Sequence, residues 1–297
     1  MSFASEVREE LCRELPEKKC CRLAECYGIL LYCNTFSKQE IRIVTASDAL
    51  AQRLPRLFRR AFDTAFDRLP PEGAGGKRTF LITDPDKIRT VRAAYGQESA
   101  VSHHINYGVL ESDCCRQSFL RGAFLAGGSV TDPDKRYHLE LITSHRKVSA
   151  GTRSLLQELG FEPKDAQRTG SSVLYLKQSD MIVDFLTMIG APLQAMKIIQ
   201  AKMEKSVRNR VNRRVNCETA NLDKAVDAAQ GQLSAIRSLR ESGRLDSLPP
   251  KLLEAARLRE ENPEATLSEL AALADPPVSK PAMSHRLRSV MERSKEE

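Results

Sequence analysis

The residues best suited to chemistry in this 297-residue chain are basic or sulfur-bearing. Lys280, Ser284, His285, Arg286 and Arg288 crowd one short stretch that has no acid from position 280 to 291. On a helix such a set offers donors to phosphates and to the acceptor edges of bases in a DNA major groove. A second basic run carries Lys205, Arg208, Arg210, Arg213 and Arg214, a pattern suited to phosphate contacts made without regard to base sequence. Eight cysteines stand at 12, 20, 21, 26, 33, 114, 115 and 217. No CxxC pair exists, and no histidine precedes His103. The vicinal pairs Cys20-Cys21 and Cys114-Cys115 do not readily direct both thiolates at one tetrahedral ion, so no metal site and no cofactor is expected. They read instead as small buried residues at helix starts.

Charge and composition set the frame for these residues. Lys plus Arg number 46 against 39 Asp plus Glu, a net charge of +7 that points to an anionic partner, nucleic acid before membrane. Tryptophan is absent and aromatics make up 5%, which disfavours base stacking on single strands as the main activity. The opening MSFASEVREELCREL is charged and amphipathic, without the apolar core of a secretory signal. No stretch approaches the ~20 apolar residues of a membrane span. The expected location is the cytoplasm, where so few cysteines would stay reduced.

The elements that must position these side chains include a repeat. CCRLAECYGILLYCNTF (20–36) aligns without a gap over CCRQSFLRGAFLAGGSV (114–130), at an offset of 94, with Gly28 on Gly122. TFLITDPDKIRTV (79–91) aligns over VLYLKQSDMIVDF (173–185) at the same offset, with Asp86 on Asp180 and Ile88 on Ile182. Between them EIRIVTAS (40–47) matches YHLELITS (137–144), at an offset of 97. Three matches in one order indicate a duplicated unit. Each copy reads helix, strand pair, helix, strand pair, helix, with GAGGK (73–77) and RTGSS (168–172) as the loops before the last strand. The expected fold class is α+β: two such units packed about a pseudo-two-fold axis, followed by an all-α domain.

LRGAFLAGGSV (120–130) resembles the LAGLIDADG helix of homing endonucleases and the strand that follows it. That resemblance implies two central helices packed side by side, with Gly28 and Gly122 where the backbones approach. It also implies an acidic residue near each helix end to hold Mg²⁺ for phosphodiester cleavage. Those positions are Cys33 and Gly127, neither a carboxylate, while Asp132 and Asp134 sit in a TDPDK turn beyond. The fold is thus expected without its chemistry.

After Pro192 the character changes. KIIQAKMEKSVRNRVNRR (197–214) reads as a helix that becomes strongly basic. A helix of about 25 residues follows, with Leu222, Val226, Ala229, Leu233 and Ile236 at helical spacing, closed by Gly243. LPPKLLEAARLREENP opens with proline near its first turn. Thr266-Leu-Ser-Glu269 is a capping box for LSELAALA, DPPVSK (275–280) forces a turn, and Ser279 caps a last helix. Two helices about a tight turn read as a helix-turn-helix, with Leu270, Leu273, Val278 and Leu287 packing the pair and the last helix in the major groove. The DNA-binding set is expected to be Thr266, Ser279, Lys280, Met283, Ser284, His285, Arg286 and Arg288.

This order of parts, with RGAFLAGGSV, YHLEL, VNCETANLDK, VSKPAMSHRLRSV and the opening MSFASEVREEL, is similar to the WhiA family of Gram-positive bacteria. The resemblance covers nearly the whole chain. It implies a double-stranded DNA-binding regulator of sporulation or of cell division and chromosome segregation, nucleoid-associated and without catalysis. It leaves the LAGLIDADG-like part to contact DNA, a ligand, or another transcription or cell-division protein. The expected divisions are residues 1–112 and 113–205 for the two degenerate units, 206–247 for a basic linker and long helix, and 248–297 for the helix-turn-helix. The competing functions are a metal-dependent LAGLIDADG endonuclease with displaced carboxylates, and a protein-interaction module.

Overall fold

The computed structural model describes residues 2–71, 76–98 and 102–295. The chain forms two compact units, Met1–Lys205 and Ser206–Glu297. The first contains α1 (Phe3–Leu11), α2 (Lys19–Tyr32), β1 (Thr35–Phe36), β2 (Ile41–Thr45), α3 (Asp48–Phe62), β3 (Arg78–Ile82) and α4 (Pro85–Ala93). It continues through α5 (Asp113–Gly127), β4 (Gly128–Val130), β5 (Leu139–Thr143), α6 (Arg146–Glu158), β6 (Lys164–Arg168), β7 (Ser171–Leu176) and α7 (Ser179–Ile189). Helix α8 (Pro192–Glu241) starts in the first unit and runs on into the second.

The repeat is visible as two antiparallel sheets, β1-β2-β3 and β4-β5-β7-β6. Helices α2 and α5 lie side by side between them, and glycine explains how closely. A Cβ on Gly28 would stand 2.1 Å from the Phe119 carbonyl oxygen, and one on Gly122 would stand 2.1 Å from that of Glu25. Both obstacles are backbone, so no side-chain movement would relieve them. Around this contact one continuous core includes Tyr27, Leu30, Leu31, Phe119 and Phe124, all fully buried.

The register of the middle repeat differs from the sequence alignment by one residue. Ile41 pairs with Ile82, and Leu139 pairs with Leu176. Because Ile82 and Leu176 are 94 apart, Ile41 corresponds to Leu139, an offset of 98 rather than 97. A slip of one would have set buried Ile41 on half-buried His138 and exchanged the faces of the strand. The second strand pair is also unequal. β6 spans five residues, whereas its counterpart in the first copy is, among the described residues, a single bridge, Arg68 to Leu81. Residues 73–75 of the GAGGK loop lie outside the described residues. The RTGSS loop is the β6–β7 turn, with Gly170 at a φ of +75°.

A buried charge network ties the first unit together. The fully buried Glu25 carboxylate accepts two hydrogen bonds from the Arg53 guanidinium, at 2.6 and 2.9 Å, and Arg121 lies 3.6 Å away. Glu25 is on α2, Arg53 on α3 and Arg121 on α5, so the network joins both copies. Glu10 of α1 accepts from the backbone N–H groups of Leu193 and Gln194, closing the otherwise open first turn of α8.

The second unit holds the rest of α8, then α9 (Pro250–Glu261), α10 (Leu267–Leu273) and α11 (Lys280–Arg293). Where the sequence suggests a basic segment and a separate helix, α8 is one helix of 50 residues. From 206 to 228 every residue of it is exposed, including Leu222 and Val226 of the expected apolar stripe. Only the later part of the stripe packs, through Ile236 and Leu239 against Leu245, Leu248, Ala256 and Val290.

Candidate nucleic-acid interface

Helices α10 and α11 meet over a small core of Ala255, Leu270, Ala271, Ala274, Met283 and Leu287. The short turn between them is fixed at both ends. Val278 N–H donates to the Ala271 carbonyl at 2.9 Å, and Ser279 Oγ accepts from Ala282 N–H at the start of α11. The capping box at α10 is complete: Thr266 Oγ1 accepts from Glu269 N–H, and the Glu269 carboxylate accepts from Thr266 N–H at 2.7 Å. Arg259 of α9, almost fully buried, bonds Gln232 Oε1 at 2.9 Å and the Ala265 carbonyl at 2.6 Å, which holds the segment leading into α10. Its burial lowers the guanidinium pKa, and the surrounding carbonyl oxygens supply its partners.

The eight residues singled out on the helix-turn-helix divide by what they touch. Thr266, Ser279, Lys280, His285 and Arg288 are exposed, and Ser284 is half-buried. Met283 is a correction: its side chain is fully buried in the helix-turn-helix core and presents nothing to solvent. Arg286 is half-buried and bound to Glu254 of α9 at 3.0 Å, while the other oxygen of Glu254 accepts from Asp275 N–H at 2.8 Å. Arg286 therefore braces the turn. Leu273 is a second correction, 53% exposed and outside the core, its expected place taken by Ala274. The direction of α11 explains Met283 and the inward turn of Arg286. Positions 283, 287 and 290 share the face toward the core, which leaves 280, 285 and 288 outside.

In the basic run of α8, Arg208, Arg210, Arg213 and Arg214 are exposed, with Arg214 paired to Glu218 one turn on at 2.9 Å. Lys205 differs. Its ammonium donates to the Pro133 carbonyl at 2.5 Å and sits 4.9 Å from the Tyr137 ring centre, so it serves the first unit.

At the C-terminal ends of the central helices the residues do not fit a Mg²⁺ ion of the nuclease kind. Cys33 donates to the carbonyls of Leu30 and Thr35, and burial pushes its thiol up to about 12. Gly127 has no side chain, and a Cβ there would meet the Ile142 carbonyl at 2.4 Å. Asp132 accepts from Asp134 N–H in its own turn. Glu140 is held by His138 at 3.3 Å and Arg168 at 3.2 Å, while Glu40 pairs with Arg42. The outward strand charges thus satisfy one another, Lys177 also lying over the Tyr175 ring.

The opposite ends hold a feature that the sequence reading missed. The thiols of Cys20, Cys21, Cys114 and Cys115 all lie within 4.8 Å of one another. Neither vicinal pair is a ligand set alone, but the offset of 94 places one on the other. That same offset was the signal that could have found the group.

Comparison with known proteins follows the same division. A family model described as the WhiA LAGLIDADG-like domain matches residues 116–208, and one described as the WhiA C-terminal HTH domain matches residues 211–293. A protein of Alkaliphilus metalliredigens named Probable cell division protein WhiA is 35% identical over 305 residues, covering 98% of this chain and 96% of its own. A Heliobacterium modesticaldum protein of the same name is 37% identical, covering 97% and 94%. In fold, the chain is similar to the crystal structure of full-length DUF199/WhiA from Thermatoga maritima. The TM-score is 0.63 and the identity 24%, with 99% of this chain and 98% of that one covered.

Proposed function

The chain belongs to the WhiA family, and from that premise we propose that it is a sequence-specific regulator that binds double-stranded DNA. Its expected sphere is cell division and chromosome segregation or sporulation, in the cytoplasm and on the nucleoid. The carrying observation is the outer face of α11, where Lys280, His285 and Arg288 are exposed with Ser284 beside them and no acid before Glu292. Thr266 and Ser279 cap the starts of α10 and α11, and we assign them phosphate contacts there. Arg208, Arg210, Arg213 and Arg214 add charge that does not read sequence. The division into 1–112, 113–205, 206–247 and 248–297 is retained as a functional one.

The first unit we take as a scaffold that does not cut DNA and offers its surface to another transcription or cell-division protein. Cleavage would need hard oxygen ligands where Cys33 and Gly127 stand. The test has two arms. A footprint on a promoter recovered by genome-wide binding should be lost when Lys280, His285 and Arg288 are all changed to Ala; an unchanged footprint overturns the assignment. Supercoiled DNA carrying that site should survive incubation in Mg²⁺ or Mn²⁺. Site-specific nicking abolished by EDTA would restore the endonuclease reading and direct the search to Asp132, Asp134 and Glu140.

A further inference from the structure

We propose that Cys20, Cys21, Cys114 and Cys115 form a structural zinc site that joins the two copies of the duplicated unit at the N-terminal ends of α2 and α5. The argument begins with placement. α2 starts at Lys19 and α5 at Asp113, so each vicinal pair occupies the second and third positions of its helix. Two helices of one repeat, packed side by side through Gly28 and Gly122, bring equivalent positions together. Each pair alone is a poor chelate, and the duplication supplies the missing half.

The distances select the occupant. Four thiolates at about 2.3 Å from one zinc stand about 3.8 Å apart, the edge of the tetrahedron. Here the Cys20 and Cys21 sulfurs are 4.0 Å apart, and no two of the four are further apart than 4.8 Å. Two cross-helix disulfides would need only two short separations, whereas a single ion needs all six to be short together. A cluster of several irons holds its cysteines around a larger inorganic core and calls for wider spacing. An all-sulfur tetrahedral set suits a soft or borderline cation such as zinc and mismatches Mg²⁺.

The site also lies at two helix N-termini. Helix N-termini carry unsatisfied N–H groups and the positive end of the helix dipole. Neither Lys18 nor Ser112 makes a side-chain cap bond, although the Cys115 N–H donates to the Ser112 carbonyl at 2.9 Å. The Asp113 carboxylate, in the first turn of α5, lies 3.9 Å from Arg116. Binding replaces four S–H bonds with four Zn–S bonds and releases four protons to solvent, with no redox change. With four protein ligands no position remains for water, which makes the site structural rather than hydrolytic.

The full chain purified under reducing conditions tests this. Metal analysis should give one zinc per chain. Replacement by Co²⁺ should produce the thiolate-to-cobalt charge-transfer and intense visible bands of a tetrahedral all-sulfur site. The Cys20→Ser/Cys114→Ser variant removes one ligand from each pair and should lose the metal, while Cys217→Ser, exposed on α8, should keep it. Should the double variant fail to fold, the cobalt spectrum and metal content of the unaltered chain still decide the matter. Reduced protein without zinc and without the cobalt bands overturns the proposal. So do bound iron in place of zinc, two cross-helix disulfides in the native chain, or a folded double variant that keeps full zinc.

Discussion

The two units use their charges differently. In the first, several cations are turned inward or matched: Arg53 and Arg121 on Glu25, Lys197 on Glu6 at 2.6 Å, Lys202 on Asp180 at 2.5 Å, and Lys205 on a carbonyl, while others such as Arg56, Arg59, Arg60, Lys135 and Arg136 stand exposed. In the second, Arg208, Arg210, Arg213, Lys280 and Arg288 stand exposed. A basic composition therefore says less about a binding surface than the way exposed cations gather on one helix, as Arg208, Arg210 and Arg213 do on α8. The contrast has informative exceptions. Arg259 and Arg286 belong to the second unit and yet serve its internal structure, one holding the entry to α10 and the other bracing the turn.

The largest effect expected from breaking this contrast lies in the first unit. Glu25→Ala leaves Arg53 buried without its counter-charge and Arg121 without its neighbour. Removing one member of a buried pair costs about 3–5 kcal/mol. Chemical denaturation should show that loss in the first unit only. A loss below about 1 kcal/mol would mean that the network is solvated and the contrast between the units is overstated.

Next in size is a contrast within α11. Arg288→Ala should cost about 1–3 kcal/mol of discrimination at one base pair, the value of a guanine contact, and leave stability nearly unchanged. Arg286→Ala should instead weaken binding to all sequences and lower the melting temperature of the second unit, because the brace to Glu254 is lost. Equal specificity loss for both, read from affinities across single-base variants of the site, would place Arg286 in the groove after all.

How much of this was legible follows from which physical signal each element carries. The duplication was legible because the paired helices must approach through glycine and the last strand and helix keep the same offset. The register of β2 against β5 was not. The second copy is four residues longer before this strand and four shorter after its helix, and two alternating strands match almost as well when slipped by one. The helix-turn-helix was legible through its caps, which are local. The burial of Met283 and the pairing of Arg286 with Glu254 are not legible because a basic, polar stretch does not reveal how its helix is rotated. The four thiols are invisible to ligand-spacing rules applied within either copy, and only the offset of 94 together with the packing of the two copies brings them together.

The basic run on α8 gives a smaller, graded effect. Each true phosphate contact contributes about 0.9 to the slope of log affinity against log salt. Neutralising Arg208, Arg210 and Arg213 together should flatten that slope without moving the footprint. Lys205→Gln should leave the slope alone, since its ammonium already serves Pro133 and Tyr137. A slope altered by Lys205 and not by the arginines would reverse the division between the units at this point of α8.

The smallest expected effect separates the units by pH. His103 of the first unit stacks on Phe36 at 5.1 Å and meets the ring of His145 at 4.6 Å. Burial, with the His145 charge adding to it, lowers the His103 pKa from 6.5 to about 4, and burial lowers His145 too. The folded chain therefore favours neutral His103, whereas the unfolded chain protonates it near its ordinary value. The stabilisation is complete above pH 6.5, declines as the unfolded state takes up its proton first, and is gone by about pH 4. Asp67 acts lower. Burial would raise its carboxyl, but the Lys87 ammonium and the backbone N–H groups of Asp84 and Thr83 outweigh that and hold it near 2, so its contribution fails only in stronger acid. His285, the histidine of the second unit, is exposed on α11. Thermal melts between pH 7 and pH 4.5 should thus lower the first transition more than the second, and His103→Gln should reduce the pH dependence of the first alone. If the first transition keeps its full pH dependence in that variant, the ring is already charged in the fold and its packing against Phe36 and His145 is looser than these distances describe.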